Sequence, residues 1–404
     1  METVVRKSGS PGKNNLKRPI MKIAYYLPSL YAPGGLERIV TFKANYLAEH
    51  CEGYEVYIIT SEQRDRQIHF ALSPKVKHID LDVAFDWPFN QSTIGKLLKY
   101  PFRYHKFRKR FTRLLMEIRP DITLSTIRRE VKFIHSIADG SKKVGEFHVT
   151  RYSYGVGKGG FFGNMMQKRW DNELQGNLRK LDQFVVLTHE EAAFWPELNN
   201  IRVIPNPIIT QTERFSECTS HQVIAVGRYA PQKGFDLLIE AWNIIAKKYP
   251  TWKLRIYGDG SLRDSFQQRI DELGMTDSCI LEHTVSNIVD KYCESSIFVL
   301  SSRFEGFGMV ITEAMSCGVP PISFDCPCGP KDIIDDGKDG LLVENGNIEE
   351  LAEKIAYLIE NEKVRMDMGK QACMNVQRFQ MENIVKQWKG LFEELTNNSQ
   401  QPQN

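Results

Sequence analysis

The sequence predicts an α/β fold of two domains that face each other across an anion-binding cleft. Short apolar runs typical of buried strands alternate with helical patterns along most of the chain. Glycine-bearing turns follow several of these runs, as they do in nucleotide-binding α/β domains. A length of 404 residues fits two such domains.

The first domain is predicted over residues 21–207, after a disordered polar tail at residues 1–20. Its strands are predicted at residues 21–27, 54–60, 76–81, 121–126, 143–149, 181–188 and 201–205. The first strand leads through Gly34 and Gly35 into a helical pattern that begins at Leu36. These glycines do not form a G-x-G-x-x-G fingerprint, so the turn does not indicate a dinucleotide site.

Residues 96–115 form a basic amphipathic segment, with eight Lys or Arg between positions 96 and 113 and no acidic residue there. Apolar and aromatic side chains are interleaved with these cations. The pattern fits a solvated helix whose apolar face packs on the core, and it also fits a segment that lies on an anionic bilayer. Pro101 argues against one uninterrupted helix.

The strand at residues 143–149 brings His148 to its C-terminal end, where ligands bind in open α/β sheets. Arg151 follows closely and is a candidate for acceptor contact because of that position alone. A glycine-rich loop at residues 155–163 is placed to fold over a substrate. A single histidine is more often structural than functional, so His148 by itself does not identify a site.

The second domain is predicted over residues 208–380, with strands at 222–226, 254–257, 280–283, 297–300, 319–324 and 337–343. Arg228 and Lys233 lie on one loop ahead of an amphipathic helix, where two cations can neutralise a diphosphate. The alternative is an ordinary pair of surface cations. A final amphipathic helix at residues 381–396 precedes a disordered tail at 397–404.

The stretch Ser301–Gly318 carries the strongest functional signal. Glu305 precedes two glycines that straddle one phenylalanine, and Glu313 lies on the helix that follows. The glycines let a backbone approach a ligand, and the helix points its N–H groups at the loop. Carboxylates do not bind phosphate, so the two Glu side chains are expected to accept hydrogen bonds from hydroxyls on either side of the anion. The alternative is an ordinary strand-to-helix turn with a surface Glu and a helix-capping Glu.

This stretch resembles the signature of the retaining glycosyltransferases of family 4, part of glycosyl transferases group 1, which have the two-domain GT-B architecture. The resemblance implies two Rossmann-like domains facing a central cleft, with the C-terminal helix crossing back to the first domain. It implies that Glu305 holds donor-sugar hydroxyls and Glu313 the ribose, while Arg228 and Lys233 grip the diphosphate. It places His148 beside the donor sugar and assigns further donor contacts to Gly34, Gly35, Gly258, Gly306, Phe307, Gly308, Met309 and Val310.

The activity implied is retaining, metal-independent transfer of a hexosyl group from a nucleotide-sugar, with a UDP-sugar as the expected donor. The expected acceptor is a glycan or lipid-linked sugar in bacterial envelope polysaccharide or lipopolysaccharide synthesis. The resemblance favours membrane contact through residues 96–115, hence a cytoplasmic protein peripheral on the inner face of the membrane. We expect no signal peptide and no spanning segment.

No metal and no cofactor beyond the co-substrate are expected. A net charge of +3 is too small to indicate a nucleic-acid partner, and eight scattered Cys fit reduced thiols. Two alternatives remain open. The first is another GT-B enzyme, such as a phosphorylase or a nucleotide-sugar epimerase, and a requirement for inorganic phosphate would reveal a phosphorylase. The second is a non-catalytic nucleotide-sugar-binding protein, which slow hydrolysis of the donor would exclude.

Overall fold

Two parallel sheets organise the chain, in a computed structural model that describes residues 20–85, 93–155, 161–210 and 212–397. The first sheet contains β1 (Met21–Tyr26), β2 (Tyr54–Thr60), β3 (Lys77–Asp80), β4 (Ile122–Ser125), β5 (Lys142–Glu146), β6 (Gln183–Val186) and β7 (Ile201–Val203). The second contains β8 (Gln222–Val226), β9 (Lys253–Tyr257), β10 (Cys279–Glu282), β11 (Ile297–Leu300), β12 (Pro321–Phe324) and β13 (Leu341–Val343). The predicted α/β class is therefore confirmed.

Both sheets have the doubly wound strand order. The first runs β3-β2-β1-β4-β5-β6-β7 and the second β10-β9-β8-β11-β12-β13, with parallel pairing throughout. The order reverses between β1 and β4 in the first sheet and between β8 and β11 in the second. Ligands bind at such reversal points, outside the carboxyl ends of the strands. The loops after these four strands are therefore where a site is expected.

Helices connect the strands and cover the sheets. They are α1 (Gly35–His50), α2 (Thr93–Ile118), α3 (Tyr152–Gly155), α4 (Phe161–Leu178), α5 (His189–Ala193), α6 (Phe235–Ile245), α7 (Arg263–Glu272), α8 (Ile288–Cys293), α9 (Met309–Ser316), α10 (Pro330–Ile333), α11 (Ile348–Glu360), α12 (Glu362–Asn375) and α13 (Met381–Asn397). The central strands β4 and β11 are buried along their whole length, because helices cover both faces of a parallel sheet.

The last helix, α13, follows the second sheet in sequence but packs on α1 of the first domain. It buries one face there, formed by Ile384, Val385, Trp388, Leu391 and Phe392. Tyr46 of α1 donates a hydrogen bond to Glu382 of α13 at 3.2 Å. Arg202 of β7 pairs with Glu394 of α13 at 2.7 Å. The predicted crossing of the C-terminal helix back to the first domain is present.

Helix α2 corrects the expectation that Pro101 breaks the basic segment. A single helix runs from Thr93 to Ile118 with Pro101 inside it. A proline removes one backbone N–H and crowds the carbonyl four residues earlier, which is a local cost. Phe107, Phe111 and Leu115 are fully buried against the first sheet, and this packing holds the helix C-terminal to the proline.

Helices occupy both ends of the range 155–163, where a glycine-rich loop was predicted. Gly155 ends α3, and α4 already begins at Phe161, while residues 156–160 lie outside the described residues. The predicted tails fall largely outside them as well, at 1–19 and 398–404, whereas Asn397 ends α13.

Candidate active site

Glu305 occupies the loop after β11 and is held by two side chains of the second domain. Its carboxylate is 6% exposed and accepts hydrogen bonds from Lys233 Nζ at 2.7 Å and Ser302 Oγ at 2.6 Å. Its backbone N–H donates to the Pro327 carbonyl at 3.0 Å, which fixes the loop against the turn after β12. The carboxylate is thus presented in one orientation at the cleft.

Lys233 reaches Glu305 because β8 and β11 are adjacent strands. The loop after β8 and the loop after β11 leave the sheet side by side, and Ser301 Oγ donates to the Lys233 carbonyl at 3.0 Å. The Lys233 side chain is 17% exposed. Arg228, earlier on the same loop, is exposed and has no side-chain partner among the described residues. The two cations therefore lie at the same edge of the sheet.

Gly258 permits a close approach of two loops on this side of the cleft. A Cβ added at Gly258 would lie 1.9 Å from the carbonyl oxygen of Gly227, so a larger residue would push the loop after β9 away from the loop after β8. The structure thus gives Gly258 a packing role next to the Arg228 loop. Its predicted contact with the donor stays a prediction.

Five consecutive backbone N–H groups are free at the start of α9. Among the described residues, the amides of Gly306 to Val310 donate no hydrogen bond to protein acceptors, and the helix begins at Met309. Gly308, the residue before the helix, has φ of 90°, a left-handed conformation that glycine adopts without strain. The Phe307 ring is buried against Phe379, at 5.6 Å between centroids, so only its backbone faces the cleft. Free amides at a helix N-terminus bind anions.

Glu313 lies one turn further along α9 and is held by a residue of the first domain. Arg38 of α1 donates to its Oε1 at 2.6 Å, and the Tyr292 hydroxyl approaches Oε2 at 3.5 Å. Glu313 is 7% exposed. In the chain, Glu305 thus precedes the free amides and Glu313 follows them.

The first domain approaches this loop closely at two glycines. A Cβ added at Gly306 would lie 2.7 Å from the His148 carbonyl oxygen, and one added at Gly35 would lie 2.7 Å from Met309 Cε. The Glu37 carboxylate lies over Gly34, where an added Cβ would be 2.2 Å from its Oε2. The predicted glycine turn and the predicted histidine are thus brought to the motif from across the cleft.

His148 follows β5, and its ring points back into the first domain. Its Nε2 lies 3.2 Å from Glu146 Oε1, and the side chain is 8% exposed. Glu146 in turn pairs with Lys43 of α1, and both of these side chains are 1% exposed. His148 Nε2 therefore lies next to a buried ion pair that the sequence patterns did not reveal, although it has no hydrogen-bond partner among the described residues.

Arg151, a predicted acceptor contact, has partners within the first domain. Its guanidinium pairs with Asp171 at 2.6 Å and Glu197 at 3.0 Å, donates to the Phe194 carbonyl, and lies over the Trp195 ring. These partners occupy the guanidinium within the first domain. Arg151 therefore holds α4 and the α5 region together, and its contact with the acceptor stays a prediction.

One Asp-x-Asp sequence, Asp80-Leu81-Asp82, bears on the expected metal independence because such pairs can ligate a divalent cation. Asp80 accepts hydrogen bonds from Thr60 Oγ1 and the Arg64 amide, both at 2.9 Å, and Asp82 lies 3.4 Å from Arg110. Both carboxylates thus have protein partners. Within the described ranges, no three His, Cys, Asp or Glu side chains are placed to hold a metal ion. Metal independence stays a prediction.

Sequence patterns missed several residues that contact the predicted site. These are Arg38, which pairs with Glu313, Ser302, which binds Glu305, and the Lys43–Glu146 pair behind His148. Only Lys43 carries a sequence signal, since it falls on the same helical face as the apolar Ile39, Val40 and Leu47. A lysine in the apolar stripe of a helix indicates a buried partner.

We expect Gly306→Ala to lower kcat/KM about 10- to 100-fold, because small displacements of a positioned substrate are costly. The added methyl would collide with the His148 carbonyl, and Gly306 is not among the residues with positive φ, so the methyl should add no backbone strain. Steady-state kinetics measure the effect. Gly390→Ala in α13 is the matched control, because no atom lies within 4 Å of its added methyl. Wild-type kinetics in Gly306→Ala would show that the two loops need not approach.

Comparisons with known proteins show which proteins the chain resembles. Residues 212–373 match the family model described as glycosyl transferases group 1. The chain is 27% identical over 379 residues to an uncharacterized glycosyltransferase of Haemophilus influenzae, covering 92% of this chain and 99% of that protein. It is 29% identical over 267 residues to poly(ribitol-phosphate) alpha-N-acetylglucosaminyltransferase of Staphylococcus aureus, covering 65% of this chain and 52% of that protein. The chain thus matches about half the length of this second relative.

Among solved structures, a mutant of TarM from S. aureus superposes with a TM-score of 0.74 at 18% identity. The superposition covers 92% of this chain and 99% of that chain. At this identity the likeness shows the fold, and it confirms the predicted GT-B architecture. None of the helices in the described part of the chain combines the length and apolar character needed to span a bilayer.

Proposed function

For this chain, a GT-B glycosyltransferase of the group 1 type, we propose retaining transfer of a hexosyl group from a UDP-sugar to a glycan or lipid-linked acceptor. The expected setting is synthesis of cell-envelope polysaccharide, including lipopolysaccharide. Assignment to family 4, retention, donor and acceptor all belong to this proposal.

The free amides of residues 306–310 carry the proposal. In the chain they stand between two carboxylates, the first of which contacts Lys233, so an anion on the amides is expected to have acceptors for hydroxyls at both ends. A nucleotide-sugar has its hydroxyl-bearing sugar and ribose on either side of a diphosphate.

The comparisons support the donor and acceptor classes. The TarM structure was solved with UDP and alpha-GlcNAc-glycerol, together with fondaparinux. The S. aureus relative is named for transfer of N-acetylglucosamine to poly(ribitol-phosphate). These facts concern those proteins, and they favour a UDP-sugar and an envelope glycan here.

Departure of the diphosphate is the step that the second domain assists. As the bond from the anomeric carbon to the diphosphate oxygen breaks, negative charge grows on the leaving group. Lys233, Arg228, the free amides and the N-terminus of α9 are preorganised to stabilise that charge. Glu305 would orient the sugar through its hydroxyls. The acceptor oxygen would attack on the face that the diphosphate leaves, and the diphosphate oxygen would take its proton.

The reaction is tested by incubating the protein with a panel of UDP-sugars and candidate envelope acceptors, with and without EDTA. Release of UDP measures turnover, and the anomeric proton coupling of the product shows the stereochemistry. The proposal expects acceptor-dependent UDP release, a product with the donor's anomeric configuration, and no loss of rate in EDTA. An inverted product would contradict retention, and a requirement for inorganic phosphate would identify a phosphorylase.

Helix α2 supports the proposed contact with an anionic membrane. Its solvent-facing side carries Phe102, which is 80% exposed. The exposed cations Lys99, Lys106, Lys109 and Arg113 lie on the same face of the helix, at spacings of three or four residues. Aromatic side chains flanked by Lys and Arg bind at the headgroup level of anionic bilayers. The opposite face of α2 packs on the core. The core-packing interpretation of the segment therefore applies to that face, and the membrane interpretation applies to the solvent-facing side.

We expect the protein to sediment with vesicles containing phosphatidylglycerol and not with neutral phosphatidylcholine vesicles. Lys109→Glu should weaken vesicle binding at least about fivefold, because each surface cation contributes about 1 kcal/mol. Phe102→Ala should weaken it as well. Ile244→Ala is the control, because Ile244 is an apolar residue of the second domain that is 53% exposed and lies outside α2. Equal binding to both kinds of vesicle, or none, would rule out this contact.

A further inference from the structure

An ion pair joins the two domains at the second carboxylate of the motif. Arg38 Nη1 of α1 donates to Glu313 Oε1 of α9 at 2.6 Å, although the two residues are 275 positions apart in the chain. The Arg38 side chain is 28% exposed and the Glu313 side chain is 9% exposed. The pair is thus mostly covered, but part of each side chain remains accessible to a ligand.

This pair belongs to a seam in which α1 and α9 have their N-termini at the same end. Gly35 begins α1 and lies against Met309, which begins α9. Arg38 is three positions after Gly35, and Glu313 is four positions after Met309, so each pair of positions shares one face of its helix. Because α1 follows β1 and α9 follows β11, the seam lies at the sheet edges where a ligand is expected.

The stability of α1 does not explain an arginine at position 38. Arg38 is the fourth residue of the helix, and the positive end of the helix dipole favours acidic side chains there over basic ones. Glu37, its neighbour, has the favoured charge. A cation in this first turn is unfavourable for the helix itself, and Glu313 of the other domain offsets that effect.

The Glu313 carboxylate keeps capacity to accept further hydrogen bonds. An ionised carboxylate has about four lone-pair sites, and Arg38 uses one of them at Oε1. The Tyr292 hydroxyl is 3.5 Å from Oε2, which is longer than an ordinary O–H···O hydrogen bond. Burial raises the pKa of Tyr292 well above its ordinary value, so this hydroxyl stays protonated and does not compete as an acceptor. Hydroxyl groups of a ligand can therefore bind Glu313 while Arg38 stays in place.

We propose that Arg38 is a positioning residue that holds Glu313 in the orientation in which it accepts hydrogen bonds from the ribose hydroxyls of the nucleotide. This inference deepens the proposed function and rests on it for the identity of the ligand. Because Arg38 and Glu313 belong to different domains, recognition of the ribose then depends on contact between the domains. The first domain thereby takes part in selecting a ribonucleotide that the second domain binds.

A purely structural role for this ion pair makes a different prediction. If Arg38 only held the domains together, its removal would weaken the binding of every uridine nucleotide by the same factor. If Arg38 positions Glu313, its removal lowers the preference for a nucleotide that has ribose hydroxyls over one that lacks them. We call this preference the ribose ratio, which is the Kd for 2′,3′-dideoxy-UDP divided by the Kd for UDP.

The test is calorimetric titration of the wild type and of Arg38→Met with UDP and with 2′,3′-dideoxy-UDP. The wild type should have a ribose ratio of at least about 10, as for hydrogen bonds to a charged acceptor. In Arg38→Met the ratio should fall at least about fivefold, as for loss of one such hydrogen bond. A ratio in Arg38→Met equal to or above that of the wild type would overturn the proposal, even if both nucleotides bound more weakly.

Arg202→Met is the matched control. Arg202 also pairs with a glutamate from beyond the second sheet, Glu394 of α13, at 2.7 Å, but that pair does not involve α9. This variant should keep the wild-type ribose ratio, and a fall as large as that in Arg38→Met would overturn the proposal. Glu313→Gln should lower the ratio as well, and adding Arg38→Met to it should lower the ratio no further, because both act through one contact.

Two outcomes separate this proposal from the proposed function. Wild-type protein that binds UDP with a ribose ratio near one would overturn the ribose contact and leave the nucleotide site standing. Wild-type protein that does not bind UDP would contradict the proposed donor itself, and the proposal would fall with it. If Arg38→Met does not fold, Arg38→Lys takes its place in the titrations, because it keeps a cation opposite Glu313 but lacks the planar fork of arginine. A wild-type ribose ratio in Arg38→Lys would then overturn the proposal.

Discussion

Replacing Glu305 with Gln is expected to lower kcat about 100- to 1000-fold, the range for losing one preorganised electrostatic contact at a reacting centre. The substitution keeps the size of the side chain but turns an acceptor-only group into one that also donates. In the wild type, Lys233 Nζ donates to the carboxylate at 2.7 Å, and Ser302 Oγ donates to it as well. In the variant both donors would face an uncharged amide, which is a weaker acceptor. Steady-state turnover of UDP-sugar is the measurement.

The melting temperature and the affinity for UDP should change little in Glu305→Gln, because the free amides that would bind the diphosphate are untouched. Glu360→Gln is the control. Glu360 also accepts from a lysine, Lys248, at 2.7 Å, but on the exposed surface of the second domain. If Glu305→Gln turns over at the wild-type rate, the assignment of the sugar-binding carboxylate is wrong.

Lys233→Ala should lower kcat/KM by a similar factor but for a different reason. The variant loses the cation that stabilises the departing diphosphate, so UDP itself should bind about 10- to 100-fold more weakly, as for loss of one charge-assisted hydrogen bond. Glu305, 6% exposed, would also lose its only cationic partner among the described residues. Calorimetric titration with UDP measures the first effect and turnover the second.

Lys248→Ala is the matched control for this variant, since it breaks a lysine–glutamate pair with the same 2.7 Å separation away from the cleft. It should leave both UDP affinity and turnover unchanged. The contrast with Glu305→Gln is informative because one variant should lose mainly kcat and the other should also lose nucleotide affinity. Wild-type UDP affinity in Lys233→Ala would remove Lys233 from the diphosphate site.

The strands and their functional loops could be predicted because each feature is local. A buried apolar run followed by glycines indicates a strand that ends at a ligand-binding edge, as at Leu300 and Glu305. What local pattern cannot give is strand order. The contact between Lys233 and Glu305, 72 positions apart, exists because β8 and β11 are neighbours in the sheet. That adjacency entered the prediction only through the resemblance to a known family.

One wrong prediction arose where tertiary contacts overrode a local rule. Pro101 was expected to interrupt a helix, but the burial of Phe107 and Phe111 outweighs the lost backbone hydrogen bond. The partners of Arg151 could not be predicted either, since nothing in the sequence indicates that its side chain pairs with Asp171 and Glu197.

The most direct test of the central claim is thermal stabilisation of the wild type by UDP-, GDP- and ADP-sugars, each with and without EDTA. A ligand that binds only the folded state adds about 2.7 kcal/mol at 100 times its Kd, which is readily seen as a rise in melting temperature. We predict a clear rise with one UDP-sugar, unchanged by EDTA and smaller in Lys233→Ala. No rise with any nucleotide-sugar would contradict the claim that the cleft is a donor site.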